Sequence, residues 1–588
     1  MKRSIFGAVV LGILLCSCSG GDGNDELPVA IGDRVYGGYL RVSENDTYQT
    51  LNPMGITDAT SGFVATQVYE GLVKLNPSNL RVVPAIAEKI DVDPSGTKYT
   101  FTLRKNVLFQ DDECYAGGKG REVKAEDFKF SFEMLCSASD DNQNFSSTFK
   151  DRLLGANEYY AASKKGQKIA LAGIKVTGDY SLELTLAQPS GVFMQILAQP
   201  TCAVISKEAV ERYGKNIKTG CGPFMLDAVA SSPEKVILKR NKTYYGVDTL
   251  GNKLPFLDSV VILITPSKEK ELAMFREGKL DMILSLPSES VKEMVETQIS
   301  DFQSKPPKYL LDNSAEMITQ YYTFNLTHPP FDKPAVRKAF NLAIDRQKII
   351  DEVLNGQAYG PGVKGITPPT FSQDGYDISK INGYDFDPAQ AKKLLAEAGF
   401  KDGKGFPPVK IELNMGGGKN TNVVVEIQKQ LMENLGVNVD FEVVPYSQKL
   451  EDARMGRPDI IRDAWIADYP SPETFLNLFY GANVPEDSKA PSFPNTARYK
   501  NPVFDQYFVA GRDAKSKDSA MVNFMRAEQT LMNDATIMVL WYEGNYRLTQ
   551  WTVKNSYTNG MRYRNFAEVY IKASKTAENK EENKEEAK

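Results

Sequence analysis

The clearest hydrophobic pattern of the chain lies between residues 411 and 443. Apolar side chains first alternate with polar ones, then recur every four residues up to Gly436, and then alternate again. Alternation places side chains on one face of a strand, and a spacing of four places them on one face of a helix. The predicted strand, helix and strand are marked by Ile411, Leu413 and Met415, by Val423, Ile427, Leu431 and Leu435, and by Val437, Val439, Phe441 and Val443. This unit indicates a sheet flanked by helices, and hence the α/β class.

The segment around this unit continues the α/β rhythm from residue 320 onward. A long amphipathic helix is predicted over 334–354, and a second helix over 387–399, where a glycine ends it. Residues 415–420 (MGGGKN) lie between the strand and the helix of the unit and predict a flexible turn.

The region 71–204 has a different rhythm and predicts an inserted α+β unit. A turn at 93–96 is followed by clean alternation over 99–104, and residues 123–135 then predict a helix. Before this region, residues 39–42 alternate as a strand and residues 51–61 predict an irregular segment.

The length of 588 residues exceeds what one hydrophobic core accommodates, so two or three domains are expected. The net charge is −5, and the basic residues are scattered among at least as many acidic ones. This distribution lacks the basic patch of a nucleic-acid-binding protein, and no nucleic-acid partner is predicted.

The N-terminus predicts a targeting segment. Two basic residues precede an apolar run over 5–15, which is too short to span a bilayer. The sequence Leu-Cys-Ser-Cys at 15–18 resembles a bacterial lipobox, which implies a signal peptide over 1–17 and acylation of Cys18. An ordinary secretory signal is the alternative, but it lacks an equally well placed cleavage site. At the other end, the Lys/Glu/Asn/Ala tail 574–588 is predicted to be disordered.

The remaining cysteines are even in number, as expected for disulfides in an oxidising compartment. Four cysteines allow three connectivities, and the pairing that closes short loops is favoured, namely Cys114 with Cys136 and Cys202 with Cys221. A zinc site is the competing interpretation, but no C-x-x-C pair is present and His328 is remote in sequence. No metal is predicted.

Catalytic chemistry is poorly represented. The single histidine, His328, lies in a proline-rich loop sequence, and no G-x-S-x-G motif occurs. Residues 415–420 lack the spacing and the hydroxyl of a phosphate-binding loop, and no acidic pair suits glycoside hydrolysis. The chain is therefore predicted to be no enzyme, with no catalytic residue and no cofactor.

The segment 461–475 (IRDAWIADYPSPETF) is the strongest candidate for a binding site. Arg462 begins a predicted strand that ends near Trp465 and delivers Asp468 into a turn, while Ser471 is a predicted helix cap with Pro472 at the first helical position. The two opposite charges suit a zwitterion. The plain alternative is that Asp468 satisfies turn amides and that Arg462 pairs with a surface acid.

Several segments in order resemble the family 5 extracellular solute-binding proteins, which bind oligopeptides and dipeptides for ABC importers. They are 69–73 (YEGLV), 99–107 (YTFTLRKNV), 125–128 (AEDF), 220–224 (GCGPF), 240–245 (RNKTYY), 336–346 (VRKAFNLAIDR) and 387–400. The four cysteines and the two prolines around Ser471 depart from the family pattern.

The resemblance implies a two-lobed clamp of the periplasmic-binding-protein type, type II and cluster C-like, with an extra inserted domain. Ligand would lie between lobes that hinge shut. The implied division is a signal peptide (1–17), a lipid anchor and tether (18–30), lobe I (31–70, 205–322 and 540–573), an inserted domain (71–204), lobe II (323–539) and the charged tail (574–588).

The resemblance also implies roles for particular residues. Asp468 matches the acid that pairs with the ligand α-amino group, and Arg462 matches an arginine near the ligand carboxyl end. The extended ligand would bond to the backbone as an added strand. That backbone is expected at Ala464 and Ile466 of lobe II, and at Thr57, Asp58 and Ala59 of lobe I. Trp465 is either a pocket wall or a core residue, and Arg454 is a weaker candidate for longer ligands.

The implied partners are a peptide ligand, the permease of an ABC importer, and a membrane of the cell envelope through the lipid anchor, with the protein as a monomer. The alternatives are a clamp that binds an oligosaccharide, haem or chelated nickel, or one that serves as a ligand-sensing receptor or surface assembly protein. Scarcity of histidine disfavours nickel.

Overall fold

The computed structural model describes residues 29–572, except 288, 289, 292, 295, 298–306 and 416. The predictions for the signal peptide, Cys18, most of the tether and the charged tail therefore lie outside the described residues. In the part that is described, no helix is long and apolar enough to span a membrane.

The strands that the structure describes are β1 (Val29–Ala30), β2 (Arg34–Val35), β3 (Tyr39–Glu44), β4 (Val73–Leu75), β5 (Val82–Pro84), β6 (Ala87–Val92), β7 (Lys98–Leu103), β8 (Ile174–Gly178), β9 (Ser181–Thr185), β10 (Phe224–Leu226), β11 (Lys235–Arg240), β12 (Ser259–Ile264), β13 (Met282–Ile283), β14 (Tyr309–Phe324), β15 (Gly360–Pro361), β16 (Lys410–Asn414), β17 (Asp440–Val444), β18 (Ile460–Ile466), β19 (Ile537–Gln550), β20 (Val553–Lys554) and β21 (Tyr570–Ile571).

The α-helices are α1 (Ala59–Val68), α2 (Ala125–Leu135), α3 (Ala156–Lys164), α4 (Phe193–Leu197), α5 (Lys207–Tyr213), α6 (Lys268–Arg276), α7 (Pro334–Leu342), α8 (Arg346–Lys348), α9 (Pro388–Glu397), α10 (Gly417–Leu435), α11 (Tyr446–Met455), α12 (Glu473–Leu476), α13 (Pro502–Arg512) and α14 (Lys517–Asn533).

A four-stranded sheet in the order β10-β11-β12-β3 lies in the predicted lobe I. It brings β3, near the start of the chain, parallel to β12, with Leu40 opposite Val260 and Val42 opposite Ile262. These four side chains are almost fully buried. The alternation over 39–42 thus forms the predicted strand with one buried face.

A second four-stranded sheet, β6-β7-β9-β8, is antiparallel and lies in the predicted inserted domain. β7 buries Tyr99, Phe101 and Leu103, as its alternation predicts, and α2 supplies Phe128 and Phe132 to the same core. The turn before β7 forms as predicted, with the Asp93 carboxylate accepting from the amides of Thr97 and Lys98.

The strand–helix–strand unit predicted over 411–443 is confirmed as β16, α10 and β17. The two strands are parallel, and Ile411 and Leu413 are fully buried together with Val424, Ile427 and Leu431 of the helix. α10 begins at Gly417, so the predicted flexible turn over 415–420 is wrong for most of its length. The helix extends farther toward the strand than the glycines suggest.

Two long antiparallel strands, β14 and β19, join the lobes. Toward one end of the pair β19 also pairs with β13, and toward the other end β14 also pairs with β18. The register between β14 and β19 shifts between Ala315 and Thr319 and again after Gln320. Both strands run without a break across the predicted domain borders at 322/323 and 539/540. A bulge in a strand pair increases local bending and twist, so the two strands are expected to bend at this shift.

The helix predicted over 334–354 is interrupted. α7 ends at Leu342, and the chain resumes as α8 at Arg346 after the Asp345 carboxylate caps the Lys348 amide at 3.0 Å. Arg346 is buried and donates to the carbonyls of Asn341, Ile344, Tyr384 and Val539. A charged side chain that enters the interior needs these carbonyls, and a continuous helix would not free them.

The helix predicted over 387–399 is confirmed as α9, and that over 123–135 as α2. The segment 51–61 is only partly irregular, because a 3₁₀ turn spans Pro53–Gly55 and α1 begins at Ala59.

The disulfide prediction is wrong in this structure, because Cys114, Cys136, Cys202 and Cys221 are all free thiols. Three of them are buried in the apolar core around the inserted domain, and Cys114 packs at its margin. Cysteine packs well as a small apolar side chain, and this explains their placement without a covalent bond.

Candidate functional site

β18 carries the predicted binding residues. It pairs antiparallel with β14 along its whole length, so that Arg462 lies opposite Tyr322 and Trp465 opposite Thr319. The predicted strand is present but longer, since it begins at Ile460 and ends at Ile466, and Asp468 follows in a turn before α12 as predicted. That helix begins at Glu473, one residue later than predicted, so Pro472 and not Ser471 is its N-cap residue. The Ser471 hydroxyl still accepts a hydrogen bond from the Glu473 amide at 3.2 Å.

The other edge of β18 is open over most of its length. β16 pairs with β18 only at Ile460 and Ile461, and no described strand pairs with 462–466 on that side. An exposed strand edge presents unpaired backbone donors and acceptors that a further extended chain can pair with. The predicted backbone positions Ala464 and Ile466 belong to this open edge.

Asp468 has its carboxylate exposed to solvent, yet it is closely surrounded by protein. Loss of water around the group raises its pKa to about 6, and the hydrogen bond from Thr474 opposes that shift. Exposure combined with desolvation describes a side chain inside a cleft. No cationic side chain pairs with Asp468 among the described residues, so its charge is not compensated by the protein.

Thr474 organises the turn around Asp468. Its hydroxyl donates to Asp468 Oδ2 at 3.0 Å, and the same oxygen accepts from the Asp468 amide at 3.2 Å and from Trp465 Nε1 at 3.1 Å. One hydroxyl therefore uses its donor and both acceptor positions on these two residues. Trp465 is partly buried against the core of lobe II, so it supports the turn, and its role as a pocket wall stays a prediction.

Arg462 bonds only to neutral groups in the described part of the chain. Its Nη2 donates to Gln320 Oε1 at 2.5 Å and its Nη1 to Asn414 Oδ1 at 3.4 Å. No carboxylate of a described residue lies within ion-pair distance of it, so the plain alternative of a surface ion pair does not occur. The strand and its turn thus carry two opposite charges, neither of which is neutralised by a neighbour.

The neighbouring acid Asp463 differs from Asp468 in this respect. It forms an ion pair with the buried Lys449 and accepts from the Thr323 hydroxyl at 2.8 Å. Asp463 is therefore neutralised within the protein and is no candidate for a ligand amine.

The predicted lobe I segment from Thr57 to Ala59 leads into a helix, and the backbone of Asp58 is extended just before that helix begins. The Asp58 carboxylate accepts from the Ser61 amide at 2.8 Å, and Ala59 is the first residue of α1. The expected pairing of a ligand with the backbone of these three residues stays a prediction. The pKa of the Tyr446 hydroxyl in the predicted lobe II is raised by burial, with smaller contributions from the charges of Asp463 and Asp58.

Two features of the cleft were not predicted. Tyr446 at the start of α11 is half exposed, and burial together with Asp463 and Asp58 raises the pKa of its hydroxyl. Lys419 pairs with Glu543 at 2.9 Å and lies over the ring of Trp541. No sequence signal could find the pair of Lys419 with Glu543, since the two residues are 124 positions apart.

The weaker candidate Arg454 is bonded to Glu451 at 2.5 Å on its own helix, so its charge is already paired.

Comparison with known proteins gives a consistent answer. The profile of the family "Bacterial extracellular solute-binding proteins, family 5 Middle" matches residues 81–486. The chain is 28% identical to the periplasmic oligopeptide-binding protein OppA of Escherichia coli, over 87% of this chain and 90% of that one. It is 24% identical to the dipeptide-binding protein DppE of Bacillus subtilis, over 93% and 94% of the two chains.

Solved structures show the same fold. The periplasmic binding protein DppA of Helicobacter pylori in complex with the peptide STSA superposes with a TM-score of 0.76 at 23% identity, covering 92% of this chain and 99% of that one. Haemophilus influenzae OppA in complex with RPPGFSPFR gives 0.74 at 23% identity, over 91% and 99%. The predicted two-lobed clamp is confirmed.

Proposed function

Because the chain belongs to the family 5 bacterial extracellular solute-binding proteins, we propose that it captures peptides between its two lobes and delivers them to an ABC importer. The family is one of binding proteins, so the prediction that the chain is no enzyme is confirmed. Relatives are named for peptides, including the oligopeptide- and dipeptide-binding proteins, and their extracytoplasmic place suits this chain.

The observation that carries the peptide proposal is the uncompensated charge of Asp468 beside an open strand edge. A free peptide amine enclosed between lobes loses water and needs a carboxylate, and no residue that the structure describes supplies a cation to Asp468. The ammonium group would also offset the desolvation that raises the pKa of Asp468. In the closed clamp the ligand ammonium and the Asp468 carboxylate would therefore neutralise each other's charge.

The remainder of the ligand would follow β18. An extended peptide whose amine lies at Asp468 can pair with the open edge at Ala464 and Ile466, which leads back toward Arg462. Arg462 would then meet the carboxyl end of ligands of suitable length, because its present partners are neutral amides. Backbone pairing carries no side-chain information, so such a site accepts many peptide sequences.

A sugar suits these groups less well. An uncharged oligosaccharide would leave Asp468 and Arg462 buried without counter-charges, at a cost that grows as the clamp excludes water. The peptide proposal is therefore preferred.

We also propose that Cys18 is acylated and that 18–30 tethers the protein to a membrane of the cell envelope. The resemblance of 15–18 to a lipobox supports this. A solute-binding protein held at the membrane stays near the permease that it serves, and the protein would act as a monomer.

The direct test of the function is native mass spectrometry of the protein purified without refolding. Retained masses that fragment as peptides would support the proposal. If retained ligands are sugars, or if free peptides do not bind to the stripped protein, the peptide proposal fails while the two-lobed fold stands.

A further inference from the structure

Three consecutive residues of the inserted domain reach lobe II. They follow Phe149 at the surface of the inserted core and contact the segments after Asp468 and at α13. The contacts are Arg152 with Glu473, Lys150 with Ala482 O and Asn483 Oδ1, both at 3.2 Å, and Asp151 with Arg512 at 3.6 Å. Two of the three are ion pairs between residues far apart in the sequence.

The pair between Arg152 and Glu473 is the buried one. The side chains are 4% and 0% exposed, and Arg152 Nη1 donates a second bond to the Thr148 carbonyl at 3.2 Å. Tyr469 of the same turn is buried within the core of the inserted domain, beside the Glu473 carboxylate. The turn that carries Asp468 is therefore seated against the inserted domain.

The inserted domain is joined to lobe I in a different manner. Gln110 is buried and donates to the carbonyls of Val68 and Phe224, at 3.1 and 2.7 Å, and Tyr115 bonds to Ser206 at 2.8 Å. Its apolar core also includes residues of lobe I such as Cys221. The inserted domain and lobe I form one body, so bending at β14 and β19 would part the inserted domain from lobe II.

We propose that Arg152 and Glu473 form a closure latch, a pair made when the clamp shuts on its ligand. The inference rests on the proposed function, since it assumes that ligand drives the shutting. In the open clamp both charges would be hydrated. When the clamp closes, both groups lose their water, and only an ion pair of good geometry between them compensates for that loss.

The latch also positions the binding turn. Glu473 is adjacent to Thr474, whose hydroxyl holds Asp468 and Trp465. The contact of Glu473 with Arg152 therefore fixes the position of Thr474, which orients Asp468, the carboxylate proposed to bind the ligand amine. Arg152 is thus a positioning residue that acts from the inserted domain without touching ligand.

The competing explanation is a static pair that exists whether or not ligand is bound. The two explanations differ in the ligand-free protein. A static pair stabilises the ligand-free fold, whereas a latch contributes only to the closed state. Removal of one partner leaves a buried unpaired charge in whichever state contains the pair.

The test is the Glu473→Gln variant, which keeps the shape of the side chain and removes its charge. We expect peptide affinity to fall about thirty-fold or more, as for a broken buried pair at an interface, while the unfolding midpoint of the ligand-free protein stays unchanged. The Arg152→Gln/Glu473→Gln double variant should recover most of the affinity, because no charge is then left unpaired. An unchanged affinity, or a lowered ligand-free midpoint, overturns the latch, and so do additive losses in the double variant.

Asp248→Asn is the matched control. It breaks the pair of Arg34 with the buried Asp248, which lies wholly within lobe I. This variant should lower the ligand-free unfolding midpoint and leave peptide affinity unchanged, which is the opposite of the result expected for Glu473→Gln.

A ligand-independent arm separates the latch from the proposed function. X-ray scattering can compare the protein as purified, with whatever ligand it retains, and the same protein after the ligand is stripped. The latch predicts that Glu473→Gln reduces the compaction that retained ligand causes in the wild type. If wild type binds no peptide, the proposed function fails alone, and equal compaction of variant and wild type overturns the latch alone.

Discussion

The Thr474 hydroxyl lies 3.0 Å from Asp468 Oδ2 and is the one hydrogen-bond donor that the described residues offer this carboxylate. The same oxygen accepts a hydrogen bond from the Asp468 amide, so the Thr474 hydroxyl fixes both the side chain and the backbone of Asp468. A carboxylate held in this way, desolvated and without a cationic partner in the described part of the chain, is prepared for a ligand that brings a positive charge.

Asp468→Asn should weaken the binding of free peptides by about 30-fold or more. Loss of one member of a buried charged pair costs about 2–5 kcal/mol, at 1.4 kcal/mol per tenfold change in affinity. Acetylation of the peptide amine should harm wild type equally and the variant far less, because both changes remove the same interaction. Calorimetry with a retained peptide measures all four combinations. Equal binding of free and acetylated peptides by wild type would contradict the assignment.

The pKa of about 6 for Asp468 predicts a pH dependence of binding. Only the ionised carboxylate attracts the ammonium, so affinity should rise about tenfold between pH 5 and pH 7, while the peptide amine stays charged. Above about pH 8 the amine loses its proton and affinity should fall again. Asp468→Asn should lack the acidic limb, and the matched control Asp248→Asn should keep it. Titration calorimetry across this range is the measurement.

Thr474→Val should weaken peptide binding about fivefold or more, because it removes the donor to Asp468 and leaves the Asp468 amide and Trp465 Nε1 unpaired at a cost of about 1 kcal/mol or more. Thr474→Ser keeps the hydroxyl and should bind like wild type. Comparison of the two variants by calorimetry separates the hydrogen bonds from side-chain volume. Equal losses in both would assign the effect to packing.

The four cysteines should behave as free thiols. Burial raises the pKa of Cys202 to about 12, and burial with Asp112 raises that of Cys114 to about 12 as well. Alkylation at pH 8 should therefore be slow in the folded protein and complete after unfolding. A reductant should leave the unfolding midpoint unchanged. Peptide mapping that finds a disulfide among these residues would restore the expectation from the sequence.

Cys18→Ser should release a folded protein from the membrane. Stable anchoring requires more than one acyl chain, and the substitution removes the position that carries them. Fractionation of cells into membrane and soluble material measures the change. Equal membrane retention of wild type and variant would refute acylation at Cys18.

Elements with a local hydrophobic periodicity could be predicted from the amino-acid order alone. β16, α10 and β17 followed from alternation and four-residue spacing over 411–443, and β18 with its turn followed from 461–475. The family was also visible in ordered short motifs, and with it the two-lobed fold. In each of these cases the deciding residues lie within a few turns of one another, where backbone geometry links spacing to a face.

Features that depend on residues distant in the sequence were visible only in the folded chain. The break between α7 and α8 exists because Arg346 enters the interior to meet carbonyls as far away as Val539. The contact of Arg152 with Glu473 joins residues 321 positions apart, and the open edge of β18 is set by where β16 stops pairing. The hydrophobic pattern of a sequence shows which side chains prefer burial. The partner of a buried charge, and the position where a strand edge stays unpaired, depend on how distant segments pack together.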